Sequence, residues 1–388
     1  MRILSVTPSF LPNVGGLELC LHNISLAHHE SGHPTMVAAP IASAPVARAV
    51  PYGCVPIVRH GFARAALAPD ADLPTTGRRL LRARLHLLQR LHRPDVWQLE
   101  DVYPSGWSVL DIIQNELRVP VVLAAHGGDI HVDEATGFGE RLNDHAEERI
   151  RSTLARADAL IAINQRVHDT YVSLGASPDS ICIIEQGKAA RHLANANAAA
   201  STEHPFTFLT VAADRPEKRI DLVIETAKRL PRTLDWRWTV LTTTDRLAEK
   251  ARQSGLGDRV EVVVQRELTN TDIGEMLPQR SVFDHFARAS VLVHTSRTEG
   301  ASNVFRESWA SGCPVVASIG AGALDVSDGV DGLLYDTDDE VALSQLLGHL
   351  LTSPDDLREL RAGARERGEQ TRTWSDVARE RRDLYSGL

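Results

Sequence analysis

Ser296-Arg297-Thr298-Glu299-Gly300-Ala301-Ser302-Asn303-Val304-Phe305-Arg306-Glu307-Ser308-Trp309-Ala310-Ser311-Gly312-Cys313-Pro314-Val315-Val316-Ala317 follows one apolar, β-branched run, Val291 to His294, and closes on another. Strand, loop, helix and strand in that order is the repeating unit of a parallel α/β sheet. Gly300, Ser302 and Asn303 suit a tight turn and a helix N-cap. Such a start leaves the first helical N–H groups, those near Ser302 to Val304, free to hold an anionic diphosphate at the positive end of the helix dipole. Glu299 falls in the loop and Glu307 eight positions on, inside the helix. An ionised carboxylate accepts two hydrogen bonds, which suits the paired hydroxyls of a ribose or a sugar. The plainer alternative is a pair of solvent-facing carboxylates stabilised by the helix dipole.

The same alternation extends outward through the chain. In the first half the strand candidates are Ile3 to Thr7, Thr35 to Ala39, Val55 to Val58, Val96 to Leu99, Val119 to Ala124 and Ala159 to Ile163. The second half repeats the pattern at Phe206 to Val211, Trp238 to Leu241, Val260 to Val264, Val291 to His294 and Pro314 to Ala317. Between them runs a stretch of low complexity rich in Ala and Asn, read as a linker at 193–204. The expectation is an α/β protein of two Rossmann-like, doubly wound domains at 1–192 and 205–372, with the last helix, 373–388, packing back on the first. Parallel sheets of this type bind ligands at the carboxyl ends of their strands, so two of them facing each other would make one central cleft.

The 388 residues exceed one ordinary domain core, and 43% hydrophobic with 24% charged residues is the balance of a globular enzyme. A formal charge of −9 lacks the basic footprint of a nucleic-acid binder. No apolar run approaches the roughly 20 residues of a membrane span. Met1-Arg2-Ile3-Leu4-Ser5-Val6-Thr7 reads as a first strand instead of a secretion signal, which predicts a cytoplasmic protein. Cys20, Cys54, Cys182 and Cys313 are scattered and predict buried free thiols. Lysine occurs only at Lys188, Lys218, Lys228 and Lys250, arginine being the usual cation, so each lysine draws notice.

Three other patterns have two readings each. His126, in Ala124-Ala125-His126-Gly127-Gly128-Asp129-Ile130-His131, directly follows a strand; it is a site residue or ordinary loop surface, and a metal site lacks a second group at recognisable spacing. Asp336-Thr337-Asp338 resembles a cation-binding triplet, but the following Asp339-Glu340-Val341-Ala342-Leu343 makes a helix N-cap the better explanation. Between Arg78 and Pro94, six arginines interleave with Leu80, Leu81, Leu85, Leu88 and Leu91. This helix either covers the sheet, the favoured reading, or lies on an anionic membrane.

The segment from Glu299 to Glu307, with Gly312-Cys313-Pro314-Val315-Val316-Ala317 after it, resembles the glutamate-x7-glutamate signature of retaining glycosyltransferase family 4 (glycosyltransferase group 1). The likeness covers nearly the whole chain: Gly15-Gly16 resembles the family's glycine pair, and Trp374-Ser375 to Tyr385 its returning helix. It implies a GT-B fold and a metal-independent enzyme without a cofactor, moving a sugar from a UDP- or GDP-linked donor to a small-molecule or lipid-linked acceptor. Catalytic roles are implied for His126, Lys218 and Glu299. Donor contacts are implied for Gly15, Gly16, Lys218, Ser302, Asn303, Val304 and, at the ribose, Glu307. The chain departs from the family at Ala213, where an arginine is usual, at Arg219, where a glycine is customary, at Gln186-Gly187-Lys188-Ala189 and at Thr242-Thr243-Thr244. Arg215, held extended by Pro216, is expected to face the side Ala213 faces and to replace the missing cation. Two alternatives to the transferase are a nucleotide-sugar epimerase of the same fold and a donor-binding subunit with weak activity alone.

Overall fold

The computed structural model describes residues 1–11, 15–40, 57–60, 75–188, 205–264 and 279–388. Cys54 and the linker expected at 193–204 lie outside the described residues. The strands are β1 Ile3–Val6, β2 Thr35–Pro40, β3 Ile57–His60, β4 Val96–Leu99, β5 Val121–Ala124, β6 Ala159–Ala162 and β7 Ile181–Ile183, then β8 Phe206–Val211, β9 Trp236–Thr242, β10 Val260–Val264, β11 Val291–His294, β12 Val315–Ser318 and β13 Gly332–Tyr335. They form two sheets, in the orders β3-β2-β1-β4-β5-β6-β7 and β10-β9-β8-β11-β12-β13. The pairings are parallel. In each order the chain winds outward one way from a central strand and then returns to wind out the other way, which makes both sheets doubly wound.

The chain divides, among the described residues, into two compact units: Met1–Gly187 with Thr373–Leu388, and a second running from Lys188 to Arg372. In the first unit β1, β4, β5 and β6 are buried along their whole length, so they read as continuous apolar runs without a polar face. The strands that escaped the sequence reading, β7 and β13, are edge strands; β7 is three residues long and partly exposed. An edge needs no continuous apolar run, so composition need not mark it. The second unit's core gathers Phe208, Trp236 and Trp238 with Val223, Ile224, Leu343 and Leu347. Cys20 and Cys313 are buried and free; Cys182 is free and only half-buried.

The helix Thr75–His92 turns Leu81, Leu85 and Leu88 to the core and leaves Leu80, Leu87 and Leu91 exposed. Its main face therefore covers the sheet, as favoured. The helix Trp374–Ser386 opens with a capping box: Thr373 Oγ1 accepts from Asp376 N at 3.2 Å, and Thr373 N donates to Asp376 Oδ2 at 3.0 Å. It packs on the helix Gly16–Glu30 and buries Val377, Ala378, Arg381 and Tyr385. A Cβ at Gly187 would meet the Thr373 carbonyl carbon at 2.8 Å, so glycine is what lets the two backbones approach there.

Candidate functional site

In the second unit the site grows from the loops after β8 and β11, neighbours in the sheet. After β8, Arg215 N donates to Ala213 O at 2.9 Å, closing a three-residue turn. Pro216–Lys218 then forms a single 3₁₀ turn, and Arg219 follows in the left-handed region at φ 49°, ψ 37°. Glycine adopts that conformation without the strain a side chain adds. Thr295 Oγ1 donates to Lys218 O at 2.7 Å, and Arg297 N donates to Glu217 O at 2.8 Å, so the two loops are laced together.

The lacing brings Lys218 Nζ to 2.6 Å from Glu299 Oε1, and His294 Nε2 to 3.2 Å from the same oxygen. Burial alone would raise the Glu299 carboxyl, but the Lys218 charge and the His294 contact override it and hold the group well below the usual carboxylate range. His294, the last residue of β11, escaped the sequence reading. Its position at the carboxyl end of a central strand was the available signal. The His294 ring meets Phe305 edge-on, with centroids 4.8 Å apart.

Ser302 is the N-cap of the helix Asn303–Ala310, yet its hydroxyl makes no capping bond to the helix amides and lies 3.4 Å from His294 Nε2. Arg306 is buried, donates to Ser302 O at 3.2 Å and pairs with Asp325 at 3.2 Å, fixing the turn from below. Asn303 and Val304 open the helix, and Glu307 sits one turn in. Burial pushes the Glu307 carboxyl up to about 7, and no side-chain partner for it is found among the described residues.

Arg215 is extended, at φ −132° and ψ 153°, but the turn between it and Ala213 removes the straight run in which residues two apart share a side. Its side chain is 64% exposed, with Glu217 Oε1 at 3.9 Å as its nearest carboxylate. Arg219 pairs with Asp338, as does Arg297. Asp338 is therefore an anchor for two arginines, and the helix cap is Asp339 alone, which accepts from Val341 N at 3.0 Å and Ala342 N at 2.8 Å. Among the described residues no three His, Cys, Asp or Glu side chains gather to hold a metal ion.

In the first unit, Gly15 is the N-cap of the helix Gly16–Glu30 in the loop after β1. A Cβ on Gly15 would stand 2.7 Å from Glu18 Oε2. His126 follows β5, and its loop is pinned by Asp129, which accepts from Val102 N at 2.9 Å and Gly127 N at 3.1 Å. His126 Nε2 lies 2.7 Å from Glu100 Oε2, and Glu100 Oε1 accepts from Arg381 Nη1 at 3.0 Å. Glu100 stands at the carboxyl end of β4, which could have marked it. Nothing in the sequence marks Arg381, one arginine among many.

Two doubly wound parallel sheets, with acidic and basic side chains gathered at their carboxyl ends, define a GT-B glycosyltransferase fold. Residues 205–353 match the family of glycosyl transferases group 1, and 14–187 match glycosyltransferase family 4. The chain belongs to this group 1, family 4 glycosyltransferase family. It is 26% identical over 295 residues to alpha-maltose-1-phosphate synthase of Mycolicibacterium smegmatis, a match covering 69% of this chain and 73% of that protein. Sucrose-phosphate synthase from Thermosynechococcus elongatus superposes with a TM-score of 0.80 at 18% identity, covering 100% of this chain and 98% of that one. Anabaena HepE in complex with UDP and glucose superposes with a TM-score of 0.76 at 17% identity, with both chains fully covered.

Proposed function

We propose that this chain is a retaining glycosyltransferase that moves a sugar from a nucleotide diphosphate to a small-molecule acceptor without a metal cofactor. The observation that carries this reading is the cluster of Lys218, Glu299 and His294 beside the N-terminus of the helix Asn303–Ala310. A cation and a helix N-terminus suit the diphosphate, Glu299 suits sugar hydroxyls, and Glu307 suits the ribose diol. Binding of UDP and glucose by the similar HepE supports a nucleotide-sugar donor.

In this reading the sugar–phosphate bond breaks through an oxocarbenium-like state, and the acceptor hydroxyl attacks the face the phosphate leaves. The departing phosphate oxygen takes the hydroxyl proton, so configuration at the sugar carbon is kept. Lys218, an arginine and the helix N–H groups offset the charge that develops on the diphosphate. His126 orients the sugar or the acceptor. No helix among the described residues is long and apolar enough to cross a membrane. The reading expects a cytoplasmic location, which fractionation tests.

The direct experiment screens UDP- and GDP-sugars by thermal shift and then follows candidate acceptors by mass spectrometry, with the product's anomeric configuration read by NMR. Retention at the anomeric carbon is the expected result. Inversion overturns the mechanism, and an epimerised sugar nucleotide formed without acceptor overturns the transferase reading.

A further inference from the structure

The last helix places a guanidinium inside the first unit. Arg381 is 2% exposed and donates through Nη1 to Glu100 Oε1 at 3.0 Å; Glu100, 0% exposed, meets His126 Nε2 with its other oxygen at 2.7 Å. Neighbouring bonds hold the last helix in place. Tyr385 Oη, one turn on from Arg381, donates to Gln98 Oε1 at 2.8 Å, and Arg382 Nη1 lies 3.1 Å from His28 Nδ1.

We propose that Arg381 and Glu100 are positioning residues for His126, which fix its proton on Nε2 and present Nδ1 as a hydrogen-bond acceptor. An arginine only donates, so the Glu100 oxygen facing it must accept. A carboxylate beside a fixed guanidinium is acceptor-only on both oxygens, and a second acceptor facing it at 2.7 Å would repel it. The Nε2 atom therefore carries the hydrogen. Burial opposes charge on Glu100, but Arg381 and His126 outweigh it and keep its carboxyl below the ordinary range, as this arrangement requires. Nδ1 has no partner among the described residues and is left to accept from a substrate hydroxyl. This assignment deepens the transferase reading above and rests on it for the role of Nδ1, but the tautomer itself does not depend on that reading.

The test is Glu100→Gln, which keeps shape and removes the acceptor pair. With Arg381 still donating, the introduced amide must turn its oxygen to the guanidinium and its NH₂ to His126. Nε2 then has to accept, and the proton moves to Nδ1. An amide placed behind the histidine of serine proteases inverts the tautomer in the same way and lowers kcat by about 10⁴. A histidine that orients a hydroxyl should cost less, roughly 10- to 100-fold in kcat.

Nitrogen-15 NMR of histidine-labelled protein, with His126 assigned through His126→Gln, should show Nε2–H in the wild type and in Arg381→Lys, and Nδ1–H in Glu100→Gln. Affinity for UDP or GDP, whichever nucleotide the wild type binds, should stay within twofold. A wild-type proton on Nδ1, an unchanged tautomer in Glu100→Gln, or an inverted tautomer with wild-type kcat would each overturn the proposal. The wild-type spectrum decides even where a variant does not fold. A wild type that turns over no donor and acceptor counts against the proposed function, while its spectrum still rules on the Arg381–Glu100–His126 relay.

Discussion

Lys218 Nζ and Glu299 Oε1 lie 2.6 Å apart with most of each side chain out of solvent, so the donor's expected cation and its expected hydroxyl acceptor are one unit. An ammonium has three donors, so Lys218 can hold Glu299 with one and a phosphate with another. Groups that act as a unit lose function non-additively. Lys218→Ala should lower kcat by roughly 10² to 10³, and Glu299→Ala should reduce kcat more than it raises KM. The double change should lose less than the sum of the two, by about 0.5 to 3 kcal/mol in a double-mutant cycle. Strict additivity in steady-state kinetics would show that the two act separately.

Glu307 carries a pH signature. Burial sets its carboxyl at about 7 in the free protein, above its ordinary value. A ribose diol donating two hydrogen bonds favours the ionised form, so donor binding below pH 7 must release a proton. Affinity should weaken as pH falls from about 7, approaching tenfold per pH unit, and level off above it. Folding stability runs the other way. The folded state holds this proton more tightly than the unfolded chain, so the contribution favours folding at low pH and is lost as pH rises toward 7. Calorimetric titration of Glu307→Gln with donor across pH 5.5 to 8 should be flat in this respect; a slope equal to wild type's assigns the proton elsewhere.

Arg219 combines a left-handed backbone with an ion pair to Asp338. The backbone costs a non-glycine residue about 1 to 2 kcal/mol, and a half-exposed pair returns no more than about 1. Arg219→Gly should therefore be near neutral in stability. Arg219→Ala keeps the strain and loses the pair, and should unfold at lower denaturant, by about 1 kcal/mol relative to Arg219→Gly. Equal midpoints in urea would mean that this residue's backbone is relaxed.

Arg215 is held only loosely, with Glu217 Oε1 at 3.9 Å, whereas Arg219 and Arg297 are held by Asp338 and Arg246 by Asp214 and Asp221. Although the turn at Asp214 removes the shared-side geometry, its exposed guanidinium is free to swing onto a diphosphate. Arg215→Ala should lower kcat by roughly 10² and weaken donor binding. A crippled Arg219→Ala beside a normal Arg215→Ala would transfer the role to Arg219.

Exhaustive chelation should leave turnover intact, because fixed cations are expected to take the place of a divalent ion at the diphosphate. Loss of activity in EDTA, with recovery on adding Mg²⁺ or Mn²⁺, would replace this mechanism with a metal-assisted one.

Central strands were legible because burial on both faces demands unbroken apolar runs; β4, β8 and β11 begin and end where the residues indicate. The edges β7 and β13 carry no such demand and left no mark. Glu299, Glu307 and Lys218 stood out because the segments around them resemble the family's motifs, and the structure brings Lys218 and Glu299 together. The Asp336 to Asp338 triplet was only half legible: its chemistry depends on Arg219 and Arg297, which reach Asp338 from two other loops.

By itself the sequence determined the α/β class and the order of most strands and helices, since periodicity and local turn chemistry act over neighbouring residues. Only tertiary structure decided which side chains meet. His294 joins Lys218 and Glu299 because β8 and β11 are sheet neighbours, and Arg381 reaches Glu100 across a sequence separation of 281 residues. Burial, which raises Glu307 and makes a charged partner necessary for Glu100, is likewise a property of the packed chain, because the dielectric around a carboxyl is set by whatever the fold brings against it.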